Sequence, residues 1–304
     1  MIIVGLGKAG CNIAKAFSKF PQYQTFGIDT NSDADITIKA KKSHEEYDSS
    51  FPDLRRKLKF KDEDVLVVLA GAGQISGGSL RLLEQLSKNS LTVLYIEGGL
   101  TIMSEVQKKQ DKDVPSVFQE YPRSGVLERI IMVNNAHIER SIGDMSIIGY
   151  YDTLNQAIVN IIHMTNVFKH SEPVIGNFII PSELSRICTI GAVTLEGDDY
   201  TQYKEKWFYP LTHTKDVVYY YGIGEDDLKN DGTLFRKINN FVTSRLDTGA
   251  NVSYGVFRTS YEQNYCYCIR YSSVVPYLDK PSGDPDISHS ISNPNNTTKK
   301  GYTI

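Results

Sequence analysis

The sequence predicts an α/β chain: an N-terminal doubly wound, mostly parallel sheet, a long central helix, and a smaller C-terminal α+β domain. Three observations carry this prediction. Short apolar runs alternate with helix-period stretches through the first half of the chain. Two of those runs end in glycine-rich loops that open helices. Residues 145–168 then hold helical spacing with no proline and with only Gly149 to interrupt it.

Residues 2–4 read as a strand running into Gly5-Leu6-Gly7-Lys8-Ala9-Gly10, after which Ile13, Ala14, Phe17 and Phe20 recur at helical spacing. A second strand, 25–28, ends at Asp29. Residues 65–69 are apolar throughout, as in a strand buried on both faces of a parallel sheet. They lead into Gly71-Ala72-Gly73-Gln74-Ile75-Ser76-Gly77-Gly78-Ser79, and Leu80, Leu83 and Leu86 mark the helix beyond. Residues 91–96 and 129–133 are further buried strands. Ile147, Ile148, Tyr151, Leu154, Ile158, Ile161, Ile162 and Thr165 share one face and predict a helix of about 24 residues, about 36 Å long. The last part predicts a helix near 182–188, a strand at 217–221, a helix at 234–245 and two paired strands, 252–258 and 265–271. From Pro276 the composition is that of a disordered tail. The expected divisions are therefore 1–142, 143–169, 170–275 and 276–304.

Composition narrows the function. The 304 residues hold 33 basic and 36 acidic side chains, a net charge of −3, so no global field draws the chain to nucleic acid or an anionic membrane. The apolar runs are too short to span a bilayer, and the first residues lack the basic and apolar regions of a signal peptide. A cytoplasmic protein is expected. Four cysteines make no disulfide framework. Cys266 and Cys268 face one side of a strand, as a packing pair or as a metal or redox pair.

The glycine loops point to phosphate. In the first, glycine lets the backbone approach an anion, and the following helix offers unpaired N–H groups and a positive dipole. With Asp29 it also matches a dinucleotide fingerprint in which the carboxylate holds a ribose, and a plain tight turn is a third reading. The second loop supplies more N–H groups and the hydroxyls of Ser76 and Ser79. Two cradles in one sheet fit a phosphate chain held from both sides. Neither is a Walker A motif.

Here the sequence resembles the tubulin/FtsZ superfamily, in order from residue 1 to about 273. GLGKAGCN at 5–12 (Gly5, Gly7, Lys8, Ala9, Gly10, Cys11, Asn12) is similar to the first FtsZ phosphate loop. GAGQISGGS at 71–79 stands where the family has GGGTGTG: Gly73, Ser76 and Gly77 match in kind, Gln74, Ile75 and Ser79 replace glycines, and Gly71 and Gly78 complete the candidate loop. DTNSDAD from Asp29 resembles the NTDAQ loop. Glu105 and Lys109 resemble the Glu and Arg of the ribose and purine side, and RIIMVNNAH places Asn135 at a nucleotide-contacting Asn. The resemblance implies that Tyr151 stacks on guanine and that Asn155 bonds its edge. Independently, Asn155 lies one turn from Tyr151 on the apolar stripe, where a buried amide needs a partner or costs about 1–3 kcal/mol. Neighbouring backbone could also satisfy it, with Tyr151 in the core.

The same resemblance implies a filament-forming GTPase binding GTP or GDP, with Mg²⁺, in which the next subunit completes the site. Its acidic loop, NVDFADV in FtsZ, is matched by 178–184. Glu183 then takes the second acid and Ile180 the first, with Asn177 one residue out of register. Glu183 as a catalytic group supplied in trans and Glu183 as a helix-capping residue are compatible readings. The segment 42–50 lacks the glycines that sense a γ-phosphate; it is a solvated charged loop or a cation-assisted one. Self-association head to tail is expected, with the tail as an adaptor-binding segment, in the manner of bacteriophage or plasmid tubulin homologues. Two alternatives stand beside this: an NAD(P)-dependent oxidoreductase, and a tubulin-like scaffold that does not hydrolyse nucleotide.

Overall fold

The computed structural model describes residues 1–98, 104–118, 120–179, 181, 186–195, 202–246, 248–261 and 263–272. The first half runs β1 (Ile2–Leu6), α1 (Gly7–Phe17), β2 (Gln24–Asp29), β3 (Ile36–Thr37), α2 (His44–Ser49), β4 (Asp64–Ala70), a 3-10 turn (Gln74–Gly78), α3 (Ser79–Gln85), β5 (Ser90–Glu97), α4 (Glu105–Phe118), α5 (Glu120–Arg123), β6 (Arg129–Asn134) and α6 (Asn135–Ile142). Helix α7 (Tyr150–Lys169) follows. Beyond it come β7 (Ile175–Gly176), β8 (Ile187–Thr194), β9 (Lys204–Trp207), β10 (Thr214–Gly224), α8 (Glu225–Asn230), α9 (Leu234–Leu246), β11 (Asn251–Thr259) and β12 (Tyr265–Ser272).

Among the described residues the strands form one sheet in the order β3-β2-β1-β4-β5-β6-β8-β12-β10-β11-β7, with β9 added to β8. From β3 to β8 every pairing is parallel. The two halves join through three residue pairs between β6 and β8: Ile130 with Ile187, Ile131 with Cys188, and Met132 with Thr189. Alternation along the strands explains the double winding. Ile2, Val4, Val65 and Val67 pack on one face with Leu82 and Leu83 of α3 and Phe118 of α4. Ile3, Leu66 and Val68 pack on the other with Ile13 and Phe17 of α1 and Leu154 and Ile158 of α7. That second layer continues past the join: Phe168, near the end of α7, stacks on Phe257 of β11 with ring centroids 4.3 Å apart. A separate layer sets Tyr219 and Tyr221 of β10 against Ile238 and Phe241 of α9.

Three expectations need correction. The central helix begins at Tyr150, and its 20 residues span about 30 Å. Gly149, at φ +80°, precedes it. Ile147 and Ile148 therefore lie outside the helix and are 93% and 91% exposed. Their spacing fitted the helical stripe, but spacing carries no information about burial. Residues 187 and 188 belong to strand β8 rather than to a helix, while 182–185 lie outside the described residues. Strands β11 and β12 do not pair with each other. Strand β10 lies between them, parallel to β11 and antiparallel to β12, because α9 carries the chain back over the sheet. Cys266 and Cys268 are buried in the layer under α9, and burial pushes both thiols well up, as packing groups. The tail, 276–304, lies outside the described residues.

Candidate functional site

In the order of the sheet, β2 and β3 lie to one side of β1, and β4, β5 and β6 to the other. The gap between β1 and β4 is thus a switch point in topology, where the crevice at the carboxyl ends of strands receives ligands in open α/β sheets. Both glycine loops open there, since Leu6 is paired with Leu69. They touch: a Cβ on Gly7 would lie 2.6 Å from Cγ2 of Ile75. Gly7 has φ +74°, a conformation that other residues rarely adopt, and this turns β1 directly into α1. Gly5 and Gly10 let helix and strand close up. A Cβ on Gly5 would strike the Gly10 carbonyl, and one on Gly10 would lie 2.5 Å from the Val68 oxygen.

Helix α1 starts with no side-chain cap, so the N–H groups of its first turn, including those of Lys8 and Ala9, have no partner within the helix. The same holds for Gln74 and Ile75 at the start of the 3-10 turn, which is also uncapped. The hydroxyls of the second loop are used differently from expectation. Ser76 Oγ donates to the carbonyls of Gly73 (2.6 Å) and Gly71 (3.0 Å) and lies 3.3 Å from His44 Nε2. Ser79 Oγ donates to the Ser76 carbonyl. Both serines brace the loop rather than face the crevice.

The segment 42–50 forms the next wall, as a helix rather than a loop. Ser43 caps α2 by accepting from Glu46 N at 3.2 Å, and Glu46 Oε2 accepts from Lys42 N. Asp48 pairs with Arg81 at 3.1 Å. A Cβ on Gly77 would collide with the His44 carbonyl, and one on Gly78 with the Phe51 ring. Hydrogen bonds from its own backbone and from Ser43 lower the Glu45 carboxyl, and His44 and Lys109 pull the same way. Glu105 pairs with Lys108 at 2.8 Å.

On the other flank of α1, a cleft of about 840 Å³ is lined by Lys8, Cys11, Asn12, Asp29, Asn31 and Asp35 among others. Asp29 Oδ1 accepts from Thr30 N at 2.7 Å, and Asp35 Oδ2 from Gly27 N at 2.6 Å. Cys11 donates weakly to the Gly5 and Ile28 carbonyls. Burial first, then the charges of Asp29 and Asp35, push its thiol up to about 11, so it is a neutral packing group.

Helix α7 reaches the same end of the molecule. Lys19 Nζ donates to Gln156 Oε1 at 3.1 Å, while Phe20 stacks on His163 at 3.7 Å and Tyr23 hydroxyl lies 3.1 Å from His163 Nδ1. The segment through α1 and the early residues of α7 therefore run side by side in one direction, and the first turn of α7 stands at the glycine-loop end. Tyr151 is 55% exposed there, not a core residue. Asn155 is half-buried and its amide makes no hydrogen bond among the described residues. Asn134, which sequence reasoning passed over for Asn135, caps α6 by accepting from Ala136 N and His137 N and donates to Glu97 Oε2 at 2.7 Å. Asn135 is the first residue of that helix and is half-buried. Another support that the sequence did not single out is Asp111 of α4. Its carboxylate accepts from Gly98 N at 3.0 Å and from the Tyr95 hydroxyl at 3.1 Å, under Gly71. Glu183 and Ile180 lie outside the described residues. Asn177 is engaged elsewhere, accepting from Tyr254 N at 3.1 Å.

No family model matches the chain, and no curated protein matches it by sequence. Solved structures do match. The GTPγS-form protofilament of TubZ from Bacillus thuringiensis serovar israelensis superposes with a TM-score of 0.67 at 15% identity, covering 91% of this chain and 88% of that one. An empty FtsZ dimer from M. jannaschii gives 0.63 at 13% identity, covering 89% and 87%. The chain has the tubulin/FtsZ fold. CetZ from Methanosaeta thermophila agrees, at TM-score 0.60 and 13% identity over 91% and 87%. Within this fold the two glycine loops meet above β1 and β4, and α2 packs against the second of them. Among the described residues no helix is long and apolar enough to cross a membrane, and no group of three or more His, Cys, Asp or Glu is placed to hold a metal ion.

Proposed function

We propose that this chain binds a guanine nucleotide in the crevice between β1 and β4 and assembles head to tail into filaments. The observation that carries the reading is the contact of two uncapped glycine loops at the switch point of the sheet, with the first turn of α7 at the same end. Backbone N–H groups of residues 7–12 and 71–76 take the phosphates, with Lys8 as a nearby charge. Asp29 and Asn12 serve the ribose side, Tyr151 the base face, and Asn155 the base edge; Glu105, Lys109 and Asn135 close the pocket. Mg²⁺ would be held by phosphate oxygens and its own waters, and would offset charge on the phosphates. Residues 1–142 then form the nucleotide-binding part and 170–275 the part presented to the next subunit, which supplies Glu183 to orient water. The tail takes an adaptor, as in a plasmid or bacteriophage system in a bacterial cytoplasm.

Surface chemistry supports the assembly. Ile147 and Ile148 are exposed before the first turn of α7, and Val174, Ile175 and Ile179 are exposed beyond its last. Exposed apolar groups next to the two ends of α7 suit a head-to-tail contact, in which two different patches meet. Purified protein with GTP, GDP or NAD, followed by thermal unfolding and electron microscopy, tests the whole. GTP at 100 times its Kd stabilises by about 2.7 kcal/mol, NAD does nothing, and filaments form with GTP. Stabilisation by NAD alone would reinstate the oxidoreductase.

One observation favours a non-hydrolysing scaffold as a second reading: the Ile75 side chain sits over Gly7, between the two cradles. Ile75→Gly opens that space. Phosphate release that appears only in the variant would establish the scaffold, and equal release in both proteins would remove it.

A further inference from the structure

Helices α6 and α7 are joined by the loop 143–149, which has a left-handed glycine at each end, Gly143 at φ +90° and Gly149 at φ +80°. A Cβ on either glycine would meet nothing within 4 Å, so both ends of the loop are open. Helix α7 starts without a side-chain cap. Its first turn is held from α6 instead: the Tyr150 hydroxyl donates to Glu139 Oε2 at 2.8 Å. The Tyr150 ring packs against the layer that contains Ile138 of α6 and Leu154 of α7. The next residue, Tyr151, is 55% exposed, and its ring stands edge-on to that of Tyr150, with centroids 5.2 Å apart and planes at 88°. Burial first, then the bond to Glu139 and the charge of that carboxylate, push the Tyr150 hydroxyl up to about 12, so it remains a donor at neutral pH.

An exposed aromatic ring that is ordered only when a ligand arrives costs affinity, through the rotamer freedom it loses. A second ring at right angles to it restricts that freedom beforehand. Tyr150 can do this for Tyr151 only while its own ring is fixed, and a bond to an ionised carboxylate is the stronger kind of hydrogen bond. We propose that Tyr150, fixed by Glu139, is a positioning residue that holds the Tyr151 ring ready to stack on a base, a role that rests on the guanine-nucleotide reading of the crevice. The Glu139–Tyr150 bond then serves base recognition, and the glycine loops serve the phosphates. Neither Glu139 nor Tyr150 touches the ligand in this arrangement; both act through Tyr151.

Calorimetric titration of the full chain with GTP, and with tripolyphosphate as a probe that has no base, tests this in the native protein, Tyr150→Phe, Tyr151→Ala and the double variant. Tyr150→Phe keeps the ring and loses only the hydroxyl. It weakens GTP binding by about twofold or more, leaves tripolyphosphate binding unchanged, and has no further effect in the Tyr151→Ala background. Glu139→Ala removes the acceptor instead, gives the same loss, and serves alone should Tyr150→Phe fail to fold. A smaller change in GTP affinity, an equal loss for tripolyphosphate, an equal loss in both backgrounds, or normal GTP binding by Glu139→Ala overturns the role of Tyr150 while native GTP binding stands. Where tripolyphosphate does not bind the native chain, the double variant decides. Absence of GTP binding by the native chain, or GTP binding that Tyr151→Ala leaves unchanged, removes the guanine reading itself and this role with it.

Discussion

The two glycine loops look alike in the sequence and are built for different reasons. In the first, Gly5 and Gly10 stand where strand and helix backbones meet, and Gly7 makes a turn that few other residues allow. In the second, the glycines at 74 and 75 expected by family resemblance are absent, and the chain forms a 3-10 turn instead. The glycines it keeps at 77 and 78 press against His44 and Phe51, the wall of the site rather than its opening. A glycine-rich loop is thus a mixture of positions that admit a ligand and positions that admit a neighbouring segment. Only the packing separates them.

Four substitutions and one pH series test that distinction, in descending size of effect. Gly10→Ala forces a Cβ against two backbones and costs about 3 kcal/mol or more in urea unfolding; a cost under about 1 kcal/mol would mean that strand and helix can separate freely. Gly77→Ala meets the His44 backbone and costs about 2 kcal/mol, while guanine-nucleotide affinity of the folded fraction stays unchanged. A parallel fall in affinity would move Gly77 from the wall to the opening. Tyr151→Ala is expected to leave stability within about 0.5 kcal/mol, because the ring is exposed. Titration with a fluorescent GTP analogue should lose about 1 kcal/mol of binding. Gly73→Ala has room for its Cβ, 3.7 Å from the nearest atom, and an extended backbone, so stability holds or rises by about 0.5 kcal/mol. Weaker nucleotide binding in that stable variant would place Gly73 at the opening, and unchanged binding would not.

The smallest effect concerns Asp111, beneath the second loop. Burial raises its carboxyl above the usual range, against the pull of the Gly98 N–H and the Tyr95 hydroxyl. A carboxyl raised in the folded state takes its proton there first. Relative to Asp111→Asn, the native protein therefore gains stability as pH falls through the folded value, levelling out below the unfolded value near 3.9. Unfolding free energies of both proteins across that range check the sign, and parallel curves would show a carboxyl in ordinary solvent.

Much of the first half was legible because its signals are local. A short, fully apolar run such as residues 65–69, bounded by a glycine loop, reads as a buried strand, and β4 is one. What failed was non-local. Ile147 and Ile148 continue the period of α7 but face solvent. Residues 252–258 and 265–271 are neighbours in sequence, yet β10 separates them in the sheet. The capping role of Asn134 in α6 carried no signal either, because it depends on where β6 ends. The supporting groups His44 and Asp111 carry no motif and become visible only when the loops they hold are in place.

The join between β6 and β8 has a mechanical consequence. Three residue pairs hold the halves across it, against nine between β10 and β11. A load that pulls the two halves apart would fall on this short stretch of ladder. The molecule would tear along that seam, with the packing of α7 across both sides as its main restraint, long before either half lost its own strands.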